Sequence, residues 1–213
     1  MDPGLNELLK WGVENSSAAR SDPSAPPPTT RGLNPDAIAA LFGGPSDADL
    51  MKESMAAILS TDPEVTLDDK LIAFDNFEQL IENLDNANNL GPLALWTPLL
   101  SCLAHAEHEI RMMAAWCVGT AVQNNEKSQE RLLAQGAIPK LVELATSEAE
   151  NKEVRRKAVY ALSSECRNYQ PAMDVFTEEL EKVGRKHGKV DAADMGAVDT
   201  IIAGLRQEAS KAE

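Results

Sequence analysis

The sequence predicts an all-α fold: a short helical solenoid of stacked repeats behind a flexible N-terminal arm. Three observations carry that prediction. Hydrophobic residues make up 43% of the 213 positions, while aromatics make up only 4%. Sheet cores lean on β-branched and aromatic side chains, so this balance favours helix. From Asp47 onward apolar residues recur every three or four positions, the spacing of a helix with one buried stripe. The chain also repeats itself. Pro98 aligns with Pro139, Leu100 with Leu141 and Leu103 with Leu144, all 41 positions apart. After an insertion, Arg111 aligns with Arg155, Ala114 with Ala158 and Val118 with Leu162, all 44 apart. Such a period describes a unit that cannot bury its stripe alone, whereas stacked copies can.

Residues 1–34 form the arm. Leu5, Leu8, Leu9 and Trp11 predict one short amphipathic helix, and Ser16 to Gly32 follow as a flexible linker of Pro, Ser, Thr and Ala. Residues 35–64 cap the start of the solenoid. A turn or two of helix closes at Gly43-Gly44-Pro45, and "SDADLMKESMAAILS" covers the first repeat. Residues 65–213 carry the repeats, about 65 to 90, 93 to 125 and 130 to 169, each read as helix, turn, longer helix. In the first, Leu67, Leu71, Phe74, Phe77, Ile81 and Leu84 make the stripe. Asp68 and Asp69 suit the positive end of the helix dipole. In "GAIPKLVEL" Gly136 stops one helix and Pro139 suits the first turn of the next. Thr177 to Met195 fits no repeat. Gly196 to Gln207 echoes "GAIPKLVEL" and closes the end.

Charge and motif content narrow the function. The formal net charge is −14. Phosphate backbones and anionic membrane surfaces repel such a chain, whereas a basic protein surface is drawn to it. Neither nucleic acid nor membrane is an expected partner. Cys102, Cys117 and Cys166 are scattered and odd in number, so a reducing, cytoplasmic setting is expected. The N-terminus lacks the basic start and apolar run of a signal peptide, and no apolar stretch approaches the ~18 residues of a membrane span. Asn15-Ser16-Ser17 fits a glycosylation acceptor but has no secretory context. Cys102, His105 and His108 are spaced like ligands, yet zinc wants four. No phosphate-cradling glycine loop and no nucleophile–base spacing occurs. The expectation is therefore no enzyme, no metal, no cofactor and no small-molecule substrate.

Binding is the remaining class. "FEQLIENLDNANNL" turns from an apolar stripe into Asn83, Asp85, Asn86, Ala87, Asn88 and Asn89. A helix end near Leu84 needs one or two amides to cap it, and four are present. Amides both donate and accept, so the surplus suits an edge that docks a polar surface, with small Ala87 allowing close approach. Asn83, Asn124 and Asn168 recur at one repeat position. Either each caps its own helix, or they project a row along one edge; both readings stand at this level. Trp116 and Tyr160 are in register, with Asp75 as their counterpart. The gap-and-helix pattern with "GAIPKLVEL" resembles the armadillo repeat, and in peptide-binding armadillo proteins a tryptophan and an asparagine one turn later line the groove; this chain has Thr120 and Ser164 there. Trp116 is thus read as core or as a half-buried contact. Leu8, Leu9 and Trp11 on the arm suit capture of a partner. Lys182, Arg185, Lys186 and Lys189 read as a solvated loop face.

"MKESMAAILS", "LIAFDNFEQLIENLDNANNL", "LWTPLL" and "GTAVQNN", with "LNELLKWGVENS" and "LFGG" upstream, resemble the armadillo-type nucleotide exchange factors of the seventy-kilodalton heat-shock (DnaK-class) chaperones, the fungal Fes-type factors among them. The resemblance spans roughly residues 5 to 176. It implies an armadillo-like right-handed solenoid that grips lobe II of the chaperone's ATPase domain, opens the ADP cleft and speeds ADP release. It further implies that the N-terminal arm engages the client-binding site and assists client release. Residues Asn83, Asp85, Asn86, Ala87, Asn88 and Asn89, with Asn124 and Asn168, are then the expected contact edge. Ala87→Arg is expected to block docking and leave the fold intact. Longer members of the family carry further repeats, whose contacts are expected to be missing here or supplied differently. The alternative is an armadillo adaptor that binds extended peptides without exchange activity.

Overall fold

The computed structural model describes residues 9–13 and 43–211. Leu5, Leu8, the linker from Ser16 to Gly32 and the turn before Gly43 lie outside the described residues. The chain divides into two units, Met1–Ser46 and Asp47–Glu213. In the first, residues 9–13 are helical, and Leu9 is 58% exposed.

The second unit is helical throughout, with no strand among the described residues. Its α-helices are α1 (Asp47–Ile58), α2 (Leu67–Ile81), α3 (Leu84–Asn89), α4 (Trp96–Ser101), α5 (His108–Val122), α6 (Glu126–Ala134), α7 (Ile138–Thr146), α8 (Lys152–Cys166), α9 (Gln170–Lys182) and α10 (Met195–Lys211). A 3-10 turn, Cys102–Ala104, extends α4. The order short, short, long occurs twice: α3, α4, α5 and α6, α7, α8. Each repeat thus holds one more short helix than the periodicity indicated. The longer helices pack in succession, α1 on α2, α2 on α5, α5 on α8 and α8 on α10. The segment Gly196 to Gln207 therefore belongs to a long helix that closes this row, packed on both α7 and α8.

Local chemistry explains where these helices start and stop. The Thr66 hydroxyl accepts from the Asp69 N–H, and the Asp69 carboxylate accepts from the Thr66 N–H, a reciprocal cap that starts α2. The Thr66 hydroxyl also donates to that carboxylate at 2.6 Å, and this bond, with the one from the Thr66 N–H, holds the Asp69 carboxyl below its ordinary range. Phe74, Phe77 and Ile81 then fill the core. Leu84 does not: α2 stops at Ile81, and Leu84 opens α3 with 56% of its surface exposed. The reason is a competing start signal, because the Asn83 side chain accepts from the N–H groups of Asp85 and Asn86 and begins a new helix. Gly136, at φ +67°, ends α6 in a conformation that costs glycine little, and Pro139 sits in the first turn of α7.

The aligned arginines stitch equivalent turns. Arg111 donates to the carbonyls of His105 and Ala106 and forms a two-pronged pair with Glu150 at 2.6 and 2.8 Å. Arg155, buried, donates to the Ala145 carbonyl. Burial opposes the ionised Glu150, but Arg111 and the Asn151 N–H outweigh it and keep the carboxyl below its ordinary range. In the segment that fitted no repeat, Thr177 to Lys182 complete α9. The following loop is pinned by Gln170, which donates to the Val190 carbonyl and accepts from the Ala192 N–H.

Candidate functional site

The asparagine-rich stretch is a helix, not the unwound end of one. Its six residues, Leu84–Asn89, leave α2 at an angle fixed by two amides. Asn83 caps α3. Asn86 is only 6% exposed; its Nδ2 donates to the Leu80 carbonyl at 3.0 Å and to the Asp47 carboxylate at 2.8 Å. One amide thus adds a second hydrogen bond to the Leu80 carbonyl, which also accepts from the Asn83 N–H at 3.3 Å, and fastens α3 to the start of α1. Capping accounts for Asn83 and Asn86, and no more.

Ala87 is 2% exposed and belongs to the core. Its small size is demanded by packing within the unit. Arginine there would have to displace α3, so Ala87→Arg does not leave the fold intact and cannot by itself separate docking from packing. The exposed members of the stretch are Asn83, Asp85 and Asn89, with Asn88 half-buried. The Asn88 Oδ1 atom is buried and accepts no hydrogen bond from the described residues, an arrangement that costs about 1–3 kcal/mol. Asn88 lines a pocket whose other walls include Trp96, Thr97, Lys127, Arg131 and Gln135. Donors thus surround a depression that begins at the motif.

The asparagine ladder splits in two. Asn124 and Asn168 follow α5 and α8 with φ of +52° and +58°, the left-handed conformation that asparagine tolerates better than most residues. Both are exposed. Asn83 has φ −72° and caps a helix instead. The three positions lie at equivalent ends of three successive long helices, but each also has a backbone reason to be asparagine. The arm residues Leu9 and Trp11 lie on the helical piece 9–13, in the separate unit.

Trp116 is half-buried on α5, with the Lys157 ammonium 3.4 Å from its ring centroid. Burial lowers the Lys157 pKa, and the nearby Glu78 carboxylate opposes that shift. Tyr160 on α8 lies against α5 at Gly119, where an added Cβ would come within 2.5 Å of the ring. Cys102 donates weakly to the Pro98 carbonyl and His105 accepts from the Glu107 N–H. Burial raises the Cys102 thiol, and it raises Cys117 and Cys166 well above the ordinary range.

Three features escaped the sequence reading. Asn125, next to Asn124, is the buried cap of α6: its Oδ1 accepts from the Ser128 N–H. Gln129, also buried, directs its Nε2 at the carbonyls of Ser164, Glu165 and Arg167, at 2.9, 2.9 and 3.1 Å. It thereby closes the end of α8. Glu165 is fully buried, and neither carboxylate oxygen has a partner among the described residues, so burial pushes its pKa up to about 9. The doublet "NN" was a visible signal for the cap. For Glu165 there was none, since helix periodicity treats a glutamate as surface.

Known proteins match nearly the whole chain. A family described as "Nucleotide exchange factor Fes1" matches residues 5–90, and one described as "SIL1/FES1/HPBP1 C-terminal domain" matches residues 86–180. The two meet in the asparagine-rich helix. The chain is 66% identical to the protein named Hsp70 nucleotide exchange factor FES1 of Gibberella zeae over 212 residues, 99% of each chain. It is 51% identical to the Hsp70 nucleotide exchange factor fes-1 of Neurospora crassa over 246 aligned positions, covering all of both. With the FES1 of Eremothecium gossypii it shares 45% identity over 179 residues, 82% of this chain but 59% of that protein.

Proposed function

This chain belongs to the Fes1 family of nucleotide exchange factors, and we propose that it binds the ATPase domain of an Hsp70 chaperone in the cytoplasm and accelerates ADP release. The observation that carries the reading is the 66% identity, end to end, with a relative named for that activity. The role is that of a chaperone cofactor and not of an enzyme. Its mechanism is differential binding: the factor holds the open form of the ATPase domain more tightly than the closed, ADP-holding form, and only that difference shifts the equilibrium. No observation favours the peptide-adaptor alternative.

Within this reading the contact edge is formed by Asn83, Asp85, Asn88 and Asn89, continued by Asn124 and Asn168. Asn86 and Ala87 act from beneath, by setting the position of α3. The cluster of Lys127, Arg131 and Gln135 around the unpartnered Asn88 carbonyl supports a polar docking surface. Leu8, Leu9 and Trp11 of the arm assist client release, a role supported by the exposure of Leu9.

The test is release of labelled ADP from an Hsp70 with and without this protein, repeated with residues 1–34 deleted. Faster release with both forms, and weaker client release only with the truncated one, is expected. No acceleration by the full chain refutes the reading. Parallel loss of both effects on truncation refutes the division of labour.

A further inference from the structure

The pocket that begins at Asn88 holds two cations on one face of α6. Lys127 and Arg131 stand one helical turn apart, and both are exposed. Neither enters an ion pair among the described residues, and no carboxylate lines the pocket. On a chain whose formal net charge is −14, two neighbouring unpaired cations favour an anion beside them. Thr97 of α4 lines the same pocket, exposed, and Pro98 follows it. This is the one Ser/Thr–Pro pair in the 213 residues, so a kinase that reads such pairs has a single target here. Helices α4 and α6 both pack on α5 and both contribute walls to the pocket.

The segment that carries Thr97 is weakly held at its start. Helix α4 has six residues, begins without a side-chain cap and follows Ala94, whose φ of +56° strains a residue with a Cβ. Few hydrogen bonds hold so short a helix, which places it toward the low end of local opening energies. Trp96 and Leu99, both buried, return it to its place after opening.

We propose that Thr97 is a phosphorylation site and that Lys127 and Arg131 receive its phosphate, turning the pocket into a clasp between α4 and α6. A proline-directed kinase performs the step with ATP. The Thr97 Oγ1 attacks the γ-phosphorus, the bond from that phosphorus to the bridging oxygen breaks, ADP leaves, and the hydroxyl proton passes to the kinase's catalytic base. The product carries about two negative charges and three acceptor oxygens, matched here to a guanidinium and an ammonium. Asn88 Oδ1 is itself an acceptor and gives the phosphate nothing, so the two cations carry the recognition. The clasp ties the repeat α3 to α5 to the repeat α6 to α8. The proposal goes beyond the chaperone reading, and its readouts are phosphate and stability, so either can fail without the other.

The full-length chain is incubated with ATP and a mitogen-activated (proline-directed) kinase, and phosphate is located by mass spectrometry. One phosphate at Thr97, absent from Thr97→Val, is expected. Refusal of the folded chain, or equal uptake by Thr97→Val, overturns the site. Urea unfolding of the modified and unmodified chains then tests the clasp. At the unmodified chain's midpoint the folded-to-unfolded ratio should rise about 5-fold or more on phosphorylation, against the general repulsion that added negative charge brings to an acidic chain. In Lys127→Gln with Arg131→Gln, whose exposed side chains leave the core untouched, phosphorylation should leave the ratio unchanged or lower it. Lys52→Gln with Lys186→Gln removes the same charge elsewhere on the surface and should keep the gain. A ratio that stays or falls on phosphorylation of the unaltered chain overturns the clasp. So does a gain that survives the loss of Lys127 and Arg131, or one lost equally in the control.

Discussion

Replacing Glu165 with leucine isolates the energetic effect of one buried acid. In the folded chain its carboxyl is fully buried, neither oxygen has a partner among the described residues, and burial raises its pKa to about 9. Unfolded, it titrates near the ordinary glutamate value of 4.5. The folded state therefore binds the proton more tightly. Between these values each rise of one pH unit costs the folded state about 1.4 kcal/mol relative to a chain without the acid. At or below the unfolded pKa the penalty is absent, and above the folded pKa it is complete. From pH 5 to pH 7 the stability gap between Glu165→Leu and the unaltered chain should widen by about 2.5 kcal/mol, in favour of the variant. That increment depends only on the folded pKa lying above 7. Urea unfolding of both proteins at pH 5, 6 and 7 measures it. A gap that stays constant across this range would show that the carboxylate finds water or a counter-charge, and would refute the reasoning.

Two further predictions concern backbone geometry. Gly119→Ala gains about 1 kcal/mol of helix propensity but forces apart α5 and α8, because the new methyl meets the Ala161 backbone as well as the Tyr160 ring. A net loss of about 1–2 kcal/mol in urea unfolding is expected; an unchanged or raised midpoint would mean the two helices slide freely. Asn124→Gly should preserve stability, since φ there is +52°, whereas Asn125→Ala should cost about 1–2 kcal/mol through loss of the α6 cap. If Asn124→Gly unfolds normally yet slows ADP release, its side chain docks the partner. Normal release would leave Asn124 a turn residue only.

Much of this fold is written in spacing. The stripe of Phe74, Phe77 and Ile81, the stop at Gly136 and the start at Pro139 are local signals, and each acts where the chain carries it. The aligned arginines were visible too, though not their task of binding turn carbonyls. What spacing could not reveal was competition between signals. At Asn83 one residue follows a helix and caps the next, so a stretch read as an ending is a beginning. Burial was misjudged for a related reason. Ala87 and Asn86 look like surface residues in an amide-rich string, yet the six-residue helix, lying against its neighbours, turns these two inward. The pocket beside Asn88 shows the opposite gap: Thr97 and Arg131 are far apart in sequence, and only stacking brings them together.

The bond from Asn86 to Asp47 has an engineering consequence. Asp47 is the first residue of α1, at the boundary between the chain's two units. A chain trimmed to begin at Asp47 keeps that anchor, while one begun a few residues later severs it and leaves α3 without its side-chain bond to α1. The shortest fragment fit for studying chaperone recognition is therefore set by a side-chain amide on α3, and not by where the first helix has enough apolar surface to fold.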